Sequence, residues 1–290
     1  MKPILATTAQ LDDIRFPVYA SKKIDGIRCI VRNLNNKIEV LSRSLKPIQN
    51  LFVRKYLEDN FIHLPPGVFI DGELIAGSTF QECSSKIMTQ KGEPDFLYNI
   101  FDCVDDINTP YNERLDSLAK FASDKIVIVE QILVTNINEL ENIHNKFVNN
   151  GEEGTIVRSV TGRYKFGRST LKENLLLKIK PFTDQEFVCV GYEPYKKNLN
   201  NSKLNELGYK TKSRNKNNIK TLDMIGSLIV ACSQGTFQVG TGFSEEMRKE
   251  LWKIRDTLVG QHVKVKYMTV GIKNLPRHPV FLGIRDKEDL

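Results

Sequence analysis

Six consecutive residues, Lys23-Ile24-Asp25-Gly26-Ile27-Arg28, place a primary amine, a carboxylate, a glycine and a guanidinium side by side. Groups of these types can attack, orient and clamp a nucleotide. A hexamer of this kind also occurs on solvated turns, so its meaning depends on the motifs that accompany it in the rest of the chain.

A nucleophilic lysine requires further positive charge nearby. A lysine attacks a phosphate only as the neutral amine, and a free lysine titrates near ~10.4. Lowering a lysine pKa to about 7 to 8 takes on the order of 4 kcal/mol, which desolvation or neighbouring cations supply. The sequence Leu176-Leu177-Lys178-Ile179-Lys180 offers two such cations. Strand alternation predicts that both ammonium groups share one face, which lines a cleft or, alternatively, faces solvent.

Two acidic clusters add carboxylates beside glycine at the edges of predicted strands. They are Asp71-Gly72-Glu73, after an apolar run, and the segment from Glu152 to Arg158. Glycine lets backbone approach a ligand closely, and a carboxylate can accept a ribose hydroxyl or hold the water shell of Mg²⁺. Each cluster alone predicts a turn. Their order, after the hexamer and before the two lysines, favours one nucleotide site.

In this order the motifs resemble those of the covalent nucleotidyltransferases, which comprise ATP-dependent DNA ligases, RNA ligases and mRNA capping enzymes. The resemblance is to the ATP-dependent DNA ligases in particular, and within them to the minimal nick-sensing ligases of chlorella viruses. It extends over nearly the whole chain. Outside the motifs above, it is carried by residues 41–48, 79–81, 97–102, 164–173, 224–227, 240–243 and 276–285.

The resemblance implies an enzyme that uses ATP and Mg²⁺, with Mn²⁺ as an alternative metal, to seal nicks in duplex DNA. Its implied catalytic residues are Lys23, Asp25, Glu153, Lys178 and Lys180, of which Asp25 and Glu153 would organise the metal. The implied nucleotide-binding residues are Ser21, Lys23, Arg28, Arg43, Glu73, Phe101, Arg168, Lys178, Lys180 and Arg285. The implied DNA-binding residues are Arg43, Phe80, Met88, Thr89, Lys165, Lys210, Lys212, Arg214 and Lys216.

Individual roles come from the same resemblance. Lys23 would form a lysyl-AMP intermediate, Arg28 and Glu73 would hold the ribose, and Phe101 would stack on the adenine. Core packing is the alternative for Phe80, Phe101 and Met88.

Three positions depart from the family pattern. Leu45 stands where the chlorella-virus ligases have phenylalanine, and Arg158 stands where broader family patterns favour lysine. The last motif lacks its usual spacer residue, so Arg285 is a better candidate for orienting pyrophosphate than Asp286 or Lys287.

The composition agrees with a nucleic-acid partner. Lys and Arg number 42 against 35 Asp and Glu, a net charge of +7, which favours a polyanion. The five cysteines form no C-x-x-C pair and predict reduced core thiols, and the four scattered histidines predict no zinc site. Without a signal peptide or membrane-spanning stretch, we expect an intracellular protein. The resemblance implies a monomer that is encoded by a virus and acts in the infected cell.

The pattern of apolar runs predicts an α+β protein of two domains. By the resemblance, residues 1–182 would be a nucleotidyltransferase (adenylation) domain of antiparallel sheets and helices. The strand-rich pattern of residues 183–290 predicts a small OB-fold β-barrel. Residues 196–221, rich in Asn and Lys, form either a disordered surface loop or, by resemblance, a DNA-gripping loop. The predicted elements include a strand over 126–134 and helices over 48–58, 112–122, 137–149 and 245–259.

Four other functions are alternatives to an ATP-dependent DNA ligase. An RNA ligase or a GTP-dependent capping enzyme would share Lys23 and most of the cleft. A protein that binds nucleic acid without catalysis would be expected to lack Lys23, Glu153 or Lys178, and all three are present. An NAD-dependent ligase is disfavoured because the chain has neither the nicotinamide-binding segment nor a cysteine zinc module.

Overall fold

The computed structural model describes residues 2–213, 215–268 and 275–285. These residues fall into two compact units. The first is formed by the residues up to Lys180 together with 206–208, and the second by residues 181–205 and those from 209 onward. In the described parts of the chain, no helix is long and apolar enough to cross a membrane.

The first unit contains twelve strands and four α-helices. The strands are β1 Ile4–Leu5, β2 Thr7–Thr8, β3 Val18–Lys22, β4 Ile27–Leu34, β5 Lys37–Ser42, β6 Phe69–Ile75, β7 Leu97–Val104, β8 Ile126–Ile128, β9 Ile132–Val134, β10 Thr155–Ser159, β11 Gly167–Arg168 and β12 Leu176–Ile179. The helices are α1 Leu51–Asn60, α2 Phe80–Met88, α3 Tyr111–Asp116 and α4 Ile137–Asn149.

Two five-stranded sheets organise the first unit. One has the order β5-β4-β6-β7-β8 and the other β2-β12-β10-β3-β9, while β1 and β11 form a short parallel pair. Most neighbours are antiparallel, as predicted, but β2 with β12 and β7 with β8 are also parallel. Strand β3 ends just before the hexamer and β4 begins within it at Ile27, and because these strands lie in different sheets, the hexamer connects the two sheets.

Two glycines in the predicted motifs are required by close packing of the chain itself. A Cβ at Gly26 would meet the carbonyl oxygen of Leu74, and one at Gly154 would meet the carbonyl oxygen of Ile179. Gly154 also has a φ of +139°, which favours glycine. At Gly154 the close approach seen in this structure is to the backbone of the neighbouring strand β12.

The second unit contains seven strands and one α-helix. They are β13 Thr183–Asn198, β14 Ser202–Leu204, β15 Lys210–Lys212, β16 Ile219–Cys232, β17 Gly235–Val239, α5 Glu245–Lys253, β18 His262–Met268 and β19 Arg277–Ile284. Five of the strands form one sheet of order β17-β16-β13-β18-β19 around a separate apolar core. A parallel bridge between Thr241 and Val280 brings the two edges of this sheet together. The mixed α/β class with an OB-like second domain is confirmed.

The bounds of several predicted elements were wrong. The strand predicted over 126–134 is two strands, β8 and β9, which belong to different sheets. Helix α1 begins at Leu51 and not at Ile48, because the side chain of Asn50 caps it by accepting from the Val53 amide at 3.0 Å. The helices predicted over 112–122 and 245–259 each end early and continue as a 3₁₀ turn.

The segment 196–221 belongs to the second unit apart from residues 206–208, and its described residues include paired strands. Strands β13 and β16 extend into it and pair as far as Asn198 with Ile219, and β14 and β15 form an antiparallel hairpin beyond them. The alternative of a disordered loop is therefore wrong for these residues. All five cysteines are free thiols, and four of them are buried.

Candidate active site

The backbone places Lys23 beside the second acidic cluster. Strand β3 ends at Lys22, which pairs with Thr155 at the start of β10. The amide of Lys23 then donates to the carbonyl oxygen of Gly154 at 2.9 Å. This register brings the side chains of Lys23 and Glu153 to the same end of the sheet.

Glu153 joins two lysines through one carboxylate. Lys23 Nζ donates to its Oε2 and Lys180 Nζ donates to its Oε1. The Glu153 side chain is only 9% exposed. Burial acts to raise the pKa of Glu153, but the charges and hydrogen bonds of Lys23 and Lys180 outweigh it and hold this pKa below its usual value. Glu153 is therefore an anion that neutralises two ammonium groups.

Further cations surround Lys23, as the chemistry of a nucleophilic lysine requires. Burial lowers the pKa of Lys178, and the charges of Lys180, Lys23 and Arg168 lower it further. Lys178 also lines the cleft described below, so a fully solvated face for this residue is excluded.

Most of the predicted nucleotide-binding residues line one cleft in the first unit. Eight of them do so: Ser21, Lys23, Arg28, Arg43, Glu73, Phe101, Arg168 and Lys178. Apolar side chains of Leu5, Ile24, Val129, Ile156 and Leu176 complete the wall. The cleft thus combines an apolar surface with many cations, a lining suited to a base and its phosphates.

Arg28 is held by a buried aspartate in the floor of the cleft. Its Nε and Nη2 donate to the two carboxylate oxygens of Asp71 at 2.5 and 2.6 Å, and the Tyr164 hydroxyl donates to the same carboxylate at 2.7 Å. Burial raises the pKa of the neighbouring Glu73 to about 7, against the opposing charges of Arg28 and Lys23. In this structure the Nε and Nη2 groups of Arg28, which could bind a ligand carboxylate or phosphate in bidentate fashion, donate to Asp71.

The prediction overlooked a second buried arginine cluster. Asp102 accepts from Arg158 at 2.7 Å and from Arg114 at 2.8 Å, and all three side chains are buried. Arg158 also lines the cleft beside Phe101. The sequence signal that could have identified Arg158 was its place as the last residue of the segment from Glu152 to Arg158.

Several predicted residues lie away from the cleft lining. Asp25 is partly buried in the turn between β3 and β4. Burial raises the pKa of the Cys83 thiol on α2, and the charge of Asp25 contributes a smaller effect in the same direction. Arg285 belongs to the second unit, where its Nε donates to Glu186 at 2.7 Å. Among the described residues, no group of three or more His, Cys, Asp or Glu side chains is arranged to hold a metal ion.

The predicted DNA-binding residues are mostly exposed. Phe80 and Met88 are 38% and 55% exposed, so the alternative of core packing is wrong for both. Lys165 is partly exposed and donates to both carboxylate oxygens of Glu173 at 2.7 Å. The remaining ones, Arg43, Thr89, Lys210, Lys212 and Lys216, lie at the surface. Arg214 lies outside the described residues, as do Asp286 and Lys287.

Comparison with known protein families gives two matches. Residues 3–180 match the ATP dependent DNA ligase domain, and residues 218–285 match the DNA ligase OB-like domain. Among solved structures, the crystal structure of chlorella virus DNA ligase-adenylate is 33% identical with a TM-score of 0.55, and covers 100% of this chain and 99% of that one. A structure of Lig E DNA ligases, 24% identical with a TM-score of 0.73, covers 98% of this chain and 99% of that chain and shows the same fold.

Curated relatives agree in family but are longer. The DNA ligase of African swine fever virus is 28% identical over 186 residues, 61% of this chain and 44% of the relative. That of Enterobacteria phage T4 is 23% identical over 241 residues, 64% of this chain and 48% of the relative. The chain thus spans less than half the length of these relatives. With the first family match covering more than half of its residues, the chain belongs to the ATP-dependent DNA ligases.

Proposed function

We propose that this protein seals nicks between a 5′-phosphate and a 3′-hydroxyl in duplex DNA, using ATP. The observation that carries the proposal is the Lys23–Glu153–Lys180 arrangement at a cleft lined by six further cations and an aromatic ring. The family to which the chain belongs supports ATP as the nucleotide and DNA as the substrate. Residues 1–182 would be the adenylation domain and residues 183–290 the OB-fold domain.

The first step would form a bond between Lys23 and AMP. The neutral amine of Lys23 attacks the α-phosphorus of ATP, pyrophosphate leaves, and the amine proton is lost to give a phosphoramidate. Glu153 is placed to orient the amine before attack. Lys178 and Lys180 would neutralise charge on the phosphate. Ser21 and Phe101 would contact the adenine, and Glu73 would contact the ribose. Arg43 and Arg168 would engage AMP or the 5′-phosphate, and Arg285 the pyrophosphate.

The next two steps would act on DNA. AMP passes from Lys23 to the 5′-phosphate at the nick, and the 3′-hydroxyl then attacks that phosphate and releases AMP. Phe80, Met88, Thr89 and Lys165 would lie along the DNA, and Lys210, Lys212, Arg214 and Lys216 would contact phosphates through the loop at 196–221.

A divalent metal fits one side of this site. Mg²⁺ in phosphoryl-transfer sites is held by one or two carboxylates together with substrate phosphates, so no cluster of acidic residues is needed. Glu153 is a carboxylate of that kind beside Lys23, and Asp25 is the second proposed ligand. When bound, Mg²⁺ or Mn²⁺ would neutralise charge that develops on the phosphates. We further propose that the protein is a monomer. Because viral ligases recur among the relatives, we propose that it is encoded by a virus and acts in the infected cell.

Covalent labelling tests the proposal. The protein is first treated with pyrophosphate to remove bound AMP, then incubated with ATP or GTP labelled at the α-phosphate, and resolved on a denaturing gel. We expect label from ATP alone, none in Lys23→Ala or in the charge-preserving Lys23→Arg, and sealing when nicked DNA is added. Label from GTP would indicate a capping enzyme. Sealing confined to RNA would indicate an RNA ligase, and the absence of label from either nucleotide would indicate a binding protein.

A further inference from the structure

The ring of Phe101 is contacted by two guanidinium groups, each held by a buried aspartate. Cζ of Arg158 lies 5.1 Å from the ring centroid and Cζ of Arg28 lies 4.7 Å from it. Asp102 holds Arg158, and Asp71 holds Arg28. Cations at these distances from an aromatic ring attract it.

The cluster behind Phe101 also fixes its backbone. The hydroxyl of Tyr111 donates to the carbonyl oxygen of Phe101 at 2.8 Å, and Arg158 packs on the Tyr111 ring with Cζ 4.7 Å from the centroid. Arg158 therefore touches both the ring of Phe101 and the side chain that anchors its backbone. Asp102 is 0% exposed and Arg158 4% exposed, so solvent does not compete for their hydrogen bond.

Stability alone does not account for such a cluster. A buried charge network can often be replaced by apolar side chains without loss of stability, because desolvation cancels much of the attraction. Asp102 with Arg114 and Arg158 is a network of this kind. A role in fixing the geometry of the cleft explains why Arg158 of this network packs on the ring of Phe101.

We infer that Asp102 and Arg158 are positioning residues for Phe101. They hold its ring in the orientation in which it receives the adenine base. This inference rests on the proposed function, in which Phe101 stacks on adenine. Aromatic stacking depends on the offset and angle of the two rings, so a loosened ring should bind the base more weakly. The phosphate chemistry at Lys23 should proceed almost unchanged once ATP is bound.

Arg114 provides a matched control. It donates to the same carboxylate and is equally buried, with 3% exposure, but its ring contacts are with Tyr111 and Tyr164. Arg114→Lys and Arg158→Lys each replace one guanidinium partner of Asp102 by an ammonium group. Only Arg158→Lys removes the planar group beside Phe101, since lysine cannot stack as a guanidinium does.

The test measures adenine stacking separately from chemistry. AMP-free protein is mixed with labelled ATP, and the rate of lysyl-AMP formation is followed against ATP concentration. Quenching of 2-aminopurine riboside triphosphate on binding reports stacking directly. For Arg158→Lys and Asp102→Asn we expect the half-saturating ATP concentration to rise about 10-fold and the quenching to become weaker. A rise of about 10-fold lies in the lower part of the range for loss of one base-stacking contact. The maximal rate should stay within about threefold.

Equal effects of Arg114→Lys and Arg158→Lys on ATP saturation and quenching would overturn the inference, because they would show general damage to the cluster. So would wild-type saturation and quenching in Arg158→Lys. Thermal unfolding is measured for every variant, and if Asp102→Asn does not fold, the pair of lysine variants decides. A wild-type protein that takes no label from ATP would overturn the proposed function and the inference together, whereas normal wild-type labelling confines any failure to the inference.

Discussion

Glu73 is a single carboxylate among charges of both signs. Burial raises its pKa from about 4.5 to about 7, although Arg28 and Lys23 act in the opposite direction. A group with a higher pKa in the folded state binds its proton more tightly when folded. The stability that Glu73 contributes is therefore complete below pH about 4.5 and is lost as pH rises through about 7.

Replacing Glu73 by glutamine should remove this pH dependence, because the amide is neutral at every pH. Relative to Glu73→Gln, the wild type should lose on the order of 3 kcal/mol of unfolding free energy between about pH 5 and about pH 8. Urea unfolding at several pH values measures the difference. The exposed Glu130→Gln serves as control and should follow the wild type. Parallel curves for wild type and Glu73→Gln would contradict the assignment.

Single residues differ in how far the sequence predicts them. Lys23, Arg28 and Glu73 were found because short motifs name them. The buried pairings Arg28–Asp71 and Arg158–Asp102 were not predicted, since their members lie 43 and 56 residues apart in the sequence. Local patterns do not say which buried charges meet across such separations.

Among the secondary-structure elements, helix α2 was not predicted from the sequence, although the residues at its start form a clear capping pattern. The Thr79 hydroxyl accepts from the Glu82 amide at 3.2 Å, and the Glu82 carboxylate accepts from the Ser78 amide at 2.9 Å. This is nearly the reciprocal capping of a helix start by a threonine and a glutamate three residues later. The helix carries Phe80 and ends at Met88, so its stability bears on the proposed DNA-binding surface.

Removing the cap should destabilise the protein modestly. Thr79→Ala leaves the Glu82 amide without its side-chain acceptor, and we expect a loss of about 1 kcal/mol in unfolding free energy. Denaturant unfolding measures it. Ser85→Ala, an exposed change inside the same helix, should be neutral or slightly stabilising because alanine favours helix. An unchanged midpoint in Thr79→Ala would show that the cap contributes nothing.

The hairpin of β14 and β15 shows why some elements escape prediction. Its strands have few apolar residues, so no alternation marks them, and they form because backbone groups pair across Ser202 with Lys212 and Leu204 with Lys210. Lys210 and Lys212 lie on one face of the hairpin, while Lys203 lies on the other. The long strands β13 and β16 support the hairpin at its base.

If the hairpin face that carries Lys210 and Lys212 contacts DNA phosphates, the salt dependence of DNA binding should reveal these contacts. Each phosphate contact contributes a slope of about 0.9 in log affinity against log salt, so Lys210→Ala with Lys212→Ala should flatten the slope by up to about 1.8. Titration of nicked duplex at several salt concentrations measures this. Lys203→Ala removes a charge from the opposite face and should change the slope less. A larger effect of Lys203→Ala would assign DNA binding to the other face.

The apolar cores divide between the two units of the molecule. Three clusters of buried side chains belong to residues of the first unit, and one cluster belongs to residues of the second. From the sequence, the change to a strand-rich pattern predicts a domain boundary between residues 182 and 183, and this boundary stays a prediction. Because each core is complete within its own unit, each unit has the apolar burial that an independent domain requires.

A fragment of residues 1–180 should therefore fold without the rest of the chain. It contains every residue that lines the nucleotide cleft, so it should unfold cooperatively and quench 2-aminopurine riboside triphosphate as the full chain does. A shorter fragment ending at residue 150 is the control. It lacks β10, which lies between β12 and β3 in its sheet, and we expect no cooperative transition. Calorimetry compares the two, and a 1–180 fragment without a transition would mean that the first unit depends on the second for its stability.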